Sequence, residues 1–320
     1  MMDLLFVIVG VVLLTTGGEA LIRGSLATAK RIGISPLLSG LLIVGFGTSA
    51  PELVVSIDAA LNLQPDIAVG NVVGSNIGNV LLILGTCAII CPLAVKPLAL
   101  RRDAITVLAA TVLFIILVGG SALARGDAAI LLLALLAYLV WAYRTERLQN
   151  NPAAEMHTAE ANEIEALPKT GLWIATAIVI GLALLIVGSQ ILLKGATGIA
   201  EAFGISEAVI GLTLVAVGTS LPEFAVSIIA ALRRHADVAV GNILGSNIFN
   251  LLGILGISAL LQPLPVSERI LQFDQWVLLA TSLVLLLFLY TGRRLSRLEG
   301  AIFLAAYVAY VGLSFTVFGG

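Results

Sequence analysis

The chain contains one stretch of itself twice. Residues 33–85 (GISPLLSGLLIVGFGTSAPELVVSIDAALNLQPDIAVGNVVGSNIGNVLLILG) align without a gap on residues 204–256 (GISEAVIGLTLVAVGTSLPEFAVSIIAALRRHADVAVGNILGSNIFNLLGILG). The offset is a constant 171, and about 31 of the 53 aligned positions are identical. Arg23 and Lys194 also fall in register, as do Asp103 and Asp274. A match of this length is a duplication, not shared low complexity. Whatever the first copy builds, the second must build again.

Composition says what each copy builds. The 320 residues are 59% hydrophobic and 11% charged, with a mean hydropathy of +1.10. A soluble domain is about 45–50% apolar and about 25% charged. So few charges cannot cover so much apolar surface. This excludes an ordinary soluble enzyme, a nucleic-acid binder and a disordered chain, and leaves an all-α polytopic membrane protein. A crossing helix needs about 20 mostly apolar residues. Ten stretches qualify: 4–28, 36–61, 67–91, 103–120, 127–144, 171–198, 207–232, 238–261, 273–291 and 298–317. The third and eighth, rich in Gly, Ser and Asn, are weak by hydropathy alone. Met1-Met2-Asp3 turns apolar at once with no basic leader, so the first span starts there. The one long polar stretch, about 145–170, is too short for a folded domain. The expected division is residues 1–144, a cytoplasmic linker 145–170, and residues 171–320.

Net charge is −2 and points to no partner, but the placement of charge is informative. The odd-numbered connections carry thirteen Lys and Arg residues and the even-numbered ones two, Arg125 and Arg269. The positive-inside rule then puts odd connections in the cytoplasm and both termini outside. Each half has five spans, an odd number, so the second half crosses in the opposite sense. The halves are related by a pseudo-two-fold axis in the membrane plane. Inverted repeats with helices interrupted at matching positions are a transporter architecture, with the site near the midplane. Here the interruptions are GFGTSAPE (45–52) and AVGTSLPE (216–223).

Pro51 and Pro222 lie mid-span and lack an N–H, which releases the carbonyls of Gly47 and Gly218. Such carbonyls must line a cavity or bind something. The expectation is a kinked helix offering carbonyls from about 45–48 and 216–219. Glu52 and Glu223 follow directly. An ionisable group in mid-membrane costs roughly 2.5–3.5 kcal/mol on insertion scales and is functional by default. Thr48 and Ser49 lie four and three residues before Glu52, so a continuous helix puts them on its face; Thr219 and Ser220 repeat this around Glu223. The next span supplies Ser75 and Asn79 one turn apart, and its copy Ser246 and Asn250. Asn76 and Asn247 point elsewhere on those helices.

Every one of these groups is an oxygen ligand. That set suits Ca²⁺, which takes about 6–8 oxygens, and Na⁺ by the same logic. Two glutamates match the charge of one Ca²⁺. No sulfur or imidazole converges there, which disfavours zinc or copper. Cys87 and Cys91, one turn apart, read as packing residues, and His157 and His235 fall in polar connections. Single Ser, Thr, Gly and Asn residues in membrane helices often serve packing alone. Asn71 and Asn242 read as bonds that position a neighbouring helix. Asp58 aligns with Ile229 and Glu19 with Gln190, so their roles stay open. Arg23 and Lys194 read as interface-snorkelling residues. An intramembrane hydrolase built on Ser49 or Ser220 fails for want of a base beside either serine, so the chain is expected not to be an enzyme.

GTSAPE and GTSLPE, each followed by GNVVGSNIGN or GNILGSNIFN, resemble the paired signature repeats of the Ca²⁺/cation antiporter superfamily, and of prokaryotic sodium/calcium exchangers above all. The resemblance covers the chain. It implies that Glu52 and Glu223 are the central cation ligands, joined by Thr48, Ser49, Thr219 and Ser220. Carbonyls at Gly45 and Ala216, and side chains of Ser75, Asn79, Ser246 and Asn250, complete the implied set. The cargo would be Ca²⁺ and Na⁺, with no cofactor, no nucleic acid and no obligate protein partner. The setting would be the lipid bilayer of a prokaryotic plasma membrane. The first and sixth helices would slide across the core to alternate access. Asn250 stands where potassium-dependent members carry an acid, which argues against K⁺ co-transport. The linker is too short for the calcium-sensing domains of animal exchangers. Proton-coupled members carry an acid soon after the GN pair, where this chain has Gly74-Ser75-Asn76. Two alternatives to Na⁺/Ca²⁺ antiport stay open. One is H⁺-coupled cation antiport, with Glu52, Glu223 or Asp58 carrying protons. The other is a passive cation channel.

Overall fold

A computed structural model describes residues 2–94, 99–148, 170–203 and 218–318. The helices are α1 (Met2–Ile32), α2 (Pro36–Thr48), α3 (Ala50–Leu61), α4 (Pro65–Ile90), α5 (Ile105–Val118) and α6 (Arg125–Leu148) in the first half. The second half holds α7 (Gly171–Ala202), α8 (Leu221–Leu232), α9 (Ala236–Leu261), α10 (Ile270–Gly292) and α11 (Arg297–Phe318). Among the described residues seven helices are long and apolar enough to cross a membrane, or eight when α2 and α3 count as one bent span. These coincide with eight of the ten expected spans. The fourth, expected over 103–120, is α5, preceded by a π-helical turn Ala99–Ala104 that carries Arg102 and Asp103. The seventh is represented by α8; its first half, and most of the linker, lie outside the described residues.

Local sequence explains the boundaries. α1 stops at Gly33, whose φ of +70° is open to glycine; the N–H groups of Gly33 and Ile34 both return to the Ala29 carbonyl, at 2.9 and 3.0 Å. α2 starts where the Ser35 hydroxyl accepts from the Leu38 N–H at 3.1 Å and Pro36 occupies the first turn. The chain then breaks at Ser49 (φ −79°, ψ 7°), and α3 leaves at 43° to α2. Pro51 sits in the first turn of α3, where a missing N–H costs nothing. It begins a new helix; the expected kink is a clean break.

The inversion is visible in pairs of contacts that exchange under the repeat offset. The strands β1 (Leu93–Ala94) and β4 (Arg294–Leu295) pair between the third and ninth connections. The strands β2 (Ala122–Leu123) and β3 (Leu264–Pro265) pair between the fourth and eighth. A shift of 171 turns each ladder into the other to within one residue, and the two lie at opposite faces. Tyr138 donates to Asp103 at 2.9 Å, and Tyr310 to its image Asp274 at 2.9 Å. The Thr111 and Ser282 hydroxyls, each other's image, meet at 3.2 Å on the axis itself.

α4 and α9 form the centre. Their apolar windows are 67% and 83% buried inside the protein, against 11% for α11. They face protein, not lipid, which is why they can be rich in Gly, Ser and Asn. α1 and α7 pack closely along each other on the outside. Their contact is a stripe of glycines seven residues apart, Gly10, Gly17 and Gly24 against their images Gly181, Gly188 and Gly195. A Cβ on Gly17 would lie 2.8 Å from the Gly181 carbonyl, and one on Gly181 2.8 Å from the Leu21 nitrogen. Small residues allow this approach, which supplies the van der Waals contact that holds helices together in lipid. Gly17→Leu or Gly181→Leu should force the pair apart and cost about 1–3 kcal/mol. A thermal melt of the purified protein in detergent should show a lowered Tm. Gly126→Ala, where an added Cβ meets no described atom within 4 Å, should leave Tm unchanged.

Candidate cation-binding site

Two serines of one backbone geometry open the helices that build the site. Ser49 (φ −79°, ψ 7°) precedes α3 and Ser220 (φ −87°, ψ 9°) precedes α8. Glu52 and Glu223 each stand in the first turn of the helix that follows. A helix N-terminus carries unpaired N–H groups and a partial positive charge, which favours a carboxylate there. Both side chains are buried, at 1% and 0% exposure. No ion pair among the described residues reaches either of them.

The hydroxyls cross between the halves. Ser49 donates to Glu223 Oε1 at 2.9 Å, and Ser220 to Glu52 Oε1 at 2.9 Å. This corrects the expectation that Ser49 shares a face with Glu52, and Ser220 with Glu223. The chain breaks between them, so helical spacing does not apply, and the two-fold axis brings the opposite copy nearer. Thr48 also turns across, donating to Asn242 Oδ1 at 3.2 Å and approaching the Gly45 carbonyl at 3.4 Å. Ser246 donates to that carbonyl at 3.0 Å, and Ser75 lies 3.4 Å from the Ser220 hydroxyl. Gly45 can come this close because it has no side chain: a Cβ would lie 2.8 Å from the Asn242 carbonyl oxygen. Asn79 donates to Asn247 at 3.0 Å, and Asn247 to the Asn76 carbonyl at 3.3 Å. Asn247, expected to point elsewhere, instead reaches across to Asn79, whereas the Asn76 side chain does turn away and donates to the Val72 carbonyl of its own helix at 2.7 Å. Asn79 opens a π-helical turn (Asn79–Leu84), and Asn250 lies in its counterpart (Phe249–Ile254).

Five buried oxygens of the candidate ligands have no hydrogen-bond partner among the described residues: Glu52 Oε2, Glu223 Oε2, Thr219 Oγ1, Asn79 Oδ1 and Asn250 Oδ1. Buried polar atoms almost always have a partner. Two carboxylates sharing a low-dielectric centre need positive charge as well. A hard cation meets both needs. Ala216 lies outside the described residues; Gly47 and Gly218 are described, each against a leucine of α7. His235, expected in a polar connection, does precede α9 but is buried, and Cys87 and Cys91 are free thiols.

Asn71 and Asn242 do what the packing reading expects. Asn71 donates to the Glu52 carbonyl at 3.2 Å and to the Ser56 hydroxyl at 2.9 Å. Asn242 donates to the Glu223 carbonyl at 3.2 Å and to the Ser227 hydroxyl at 2.8 Å. Each clamps the helix that carries its glutamate. Two cavities lie on one side of the site. A cavity of about 450 Å³ lined by Asp66, Gly70, Gly74, Arg269, Asp274 and Tyr310 shares Gly74 with a second, of about 30 Å³, beside Ser75 and Ser220.

An all-helical, multi-span chain with a duplicated signature segment, broken mid-span in its first copy, around buried oxygens defines a membrane transporter, not an enzyme. Residues 2–144 and 173–316 match the family described as sodium/calcium exchanger protein. The chain belongs to that family. It is 39% identical over 320 residues to the putative antiporter CaxA of Alkalimonas amylolytica, covering 98% of each chain. It is 33% identical over 346 residues to the sodium/calcium exchanger MaX1 of Methanosarcina acetivorans, covering 98% of this chain and 99% of that one. The inner membrane protein YrbG of Escherichia coli is 36% identical over 284 residues, 87% of this chain and 85% of its own. A solved structure of the sodium-calcium exchanger NCX_Mj, soaked with Na⁺ and Ca²⁺, superposes with a TM-score of 0.82 at 31% identity over 98% of both chains.

Removing the clamps should be costly and unequal. Asn242→Ala leaves the Glu223 carbonyl and Thr48 without their partner in a fully buried place. It should cost about 1–3 kcal/mol. Asn71→Ala, at a half-buried position, should cost less. Thermal melts of the two purified variants give the comparison.

Proposed function

We propose that the protein is a secondary antiporter that exchanges Na⁺ for Ca²⁺ across the membrane by alternating access. One observation carries this reading. The candidate ligands include five buried oxygens without a hydrogen-bond partner among the described residues, and two of these belong to carboxylates with no ion pair there. Their charge matches one Ca²⁺, and oxygen ligands suit both ions. The names of the relatives point the same way: MaX1 is called a sodium/calcium exchanger, and NCX_Mj was soaked with Na⁺ and Ca²⁺.

The proposed ligands are Glu52, Glu223, Thr48, Ser49, Thr219, Ser220, Ser75, Asn79, Ser246 and Asn250, with the Gly45 and Ala216 carbonyls. Na⁺ and Ca²⁺ compete for this cage, and only an occupied cage lets the protein switch sides. An empty one would leave two carboxylates facing each other in low dielectric, which opposes closure. The charge bias of the connections supports a cell-membrane protein with both termini outside.

Radiocalcium uptake into proteoliposomes loaded with Na⁺ and diluted into choline tests the proposal. Uptake should require internal Na⁺. It should fall to background in Glu52→Gln and in Glu223→Gln, with thermal stability retained. Na⁺-driven uptake surviving in both variants would sink the site assignment. Uptake indifferent to Na⁺ but driven by an imposed pH gradient would establish H⁺ coupling instead. Non-saturating flux without counter-transport would establish a channel.

A further inference from the structure

The repeat symmetry fails at one interface. α1 packs along α8, with Gly18 against Ile229; a Cβ on Gly18 would lie 2.5 Å from Ile229 Cδ1. α7 is the image of α1, and α3 the image of α8. Yet α7 makes no comparable packing on α3. The α1–α7 pair is engaged on the core at one end and disengaged at the other.

An ion pair marks the engaged end. Glu19 of α1 binds Arg233, the residue that caps α8, at 3.0 Å, and Arg23 of its own helix at 2.7 Å. The images of Glu19 and Arg233 are Gln190 and Asn62, both uncharged. Two charges stand one turn away instead. Asp58 on α3 takes the place of Ile229, and Lys194 on α7 takes the place of Arg23. Both are exposed, and neither has an ion pair among the described residues; Lys194 lies 5.0 Å from the centre of the Phe6 ring.

We infer that two ion pairs of opposite polarity hold the two ends of the transport cycle: Glu19–Arg233, formed here, and Asp58–Lys194, formed when α7 takes on α3 the seat that α1 has on α8. The repeat register places the second pair. Shifted by 171, the contact of Gly18 with Ile229 becomes Ser189 with Asp58, and that of Glu19 with Arg233 becomes Gln190 with Asn62. Lys194 lies four residues beyond Gln190, and Asp58 four before Asn62, so both share the facing surfaces. With Ser189 level with Asp58, Lys194 stands five residues, about 7.5 Å, further along α7, an offset that the flexible lysine stem and the Asp58 side chain together span. Closing that end without a partner would trap the Asp58 carboxylate against α7, which is strongly unfavourable. The acid sits on the moving helix at one end and on the core at the other. Each pair can form only as the other parts, so a duplicated fold gains two distinct resting states.

The inference rests on alternating access as proposed above, and its test reads distance rather than flux. In a Cys87→Ser, Cys91→Ser background, Asp58→Cys with Lys194→Cys in proteoliposomes should cross-link with a short bis-maleimide. Glu19→Cys with Arg233→Cys serves as the control for the state described here. Adding Glu19→Gln to the first pair should raise its cross-linked fraction about three- to five-fold, the size of a partly exposed ion pair. No cross-link with Na⁺, with Ca²⁺ or with neither overturns the inference. So does a yield indifferent to Glu19→Gln. Should the cysteine variants fail to fold, the exchange of Asp58→Lys with Lys194→Asp must restore the flux that each single change loses; failure to restore it overturns the inference. Cross-linking as expected without Na⁺-driven uptake would leave the inference standing and remove the proposed cargo.

Discussion

Two carboxylates buried face to face across a two-fold axis are the constraint on which the rest of this structure depends. Glu52 and Glu223 lie at 1% and 0% exposure, and each accepts one hydroxyl from the opposite half at 2.9 Å. Neither half can satisfy its own glutamate. Removing a charge from water costs several kcal/mol even after relaxation, so both copies must be in place before either carboxylate is tolerable. The protein meets the demand with helix N-termini, crossed serines and the asparagine clamps. It still leaves one oxygen of each carboxylate without a protein partner. The remaining deficit is shaped for a cation.

Everything outside this centre follows from keeping the two copies close. Backbone oxygens and asparagine amides must come within hydrogen-bond reach across helices, which is why glycine recurs at Gly45 and along α1 and α7. The spans rich in Gly, Ser and Asn, α4 and α9, are also the most enclosed. Lipid meets the outer helices, among them α1, α7 and α11, which expose Leu5, Ile8, Ile180 and Val308.

Much of this is legible in the sequence, and the exceptions have physical causes. The gapless duplication and the odd number of spans per half give the inverted architecture, because topology counts crossings and needs no contacts. The glutamates are legible because a carboxylate in mid-membrane is too costly to keep for packing alone. The partners of Ser49 and Ser220 are not, since helical spacing assumes the continuity that the break removes. The axis itself held the missing information: a residue near it lies closer to the other copy than to its own. The π-helical turns that begin at Asn79 and hold Asn250 have no signature in composition or spacing. The glycine stripe was readable as a seven-residue period, yet it is hidden among the chain's 32 glycines until the partner helix is placed.

Duplication also explains why departures from symmetry are informative. Two identical halves would give two states of equal energy, differing only in which face is open. This chain carries an Asp–Arg–Tyr cluster at each face. Arg102 and Asp103, with Tyr138, are sealed at 1% and 0% exposure. Arg269 and Asp274, with Tyr310, are 39% and 7% exposed and line the 450 Å³ cavity, which shares Gly74 with the small cavity beside Ser75 and Ser220. The same chemistry is thus closed on one side and open on the other. The closed cluster lies at the end where α1 is seated on α8, and the open one where α7 stands off α3. Seating of the outer helix pair and exposure of the inner path therefore change together. That coupling is what an inverted repeat requires if a buried charge pair is to meet water on one side at a time.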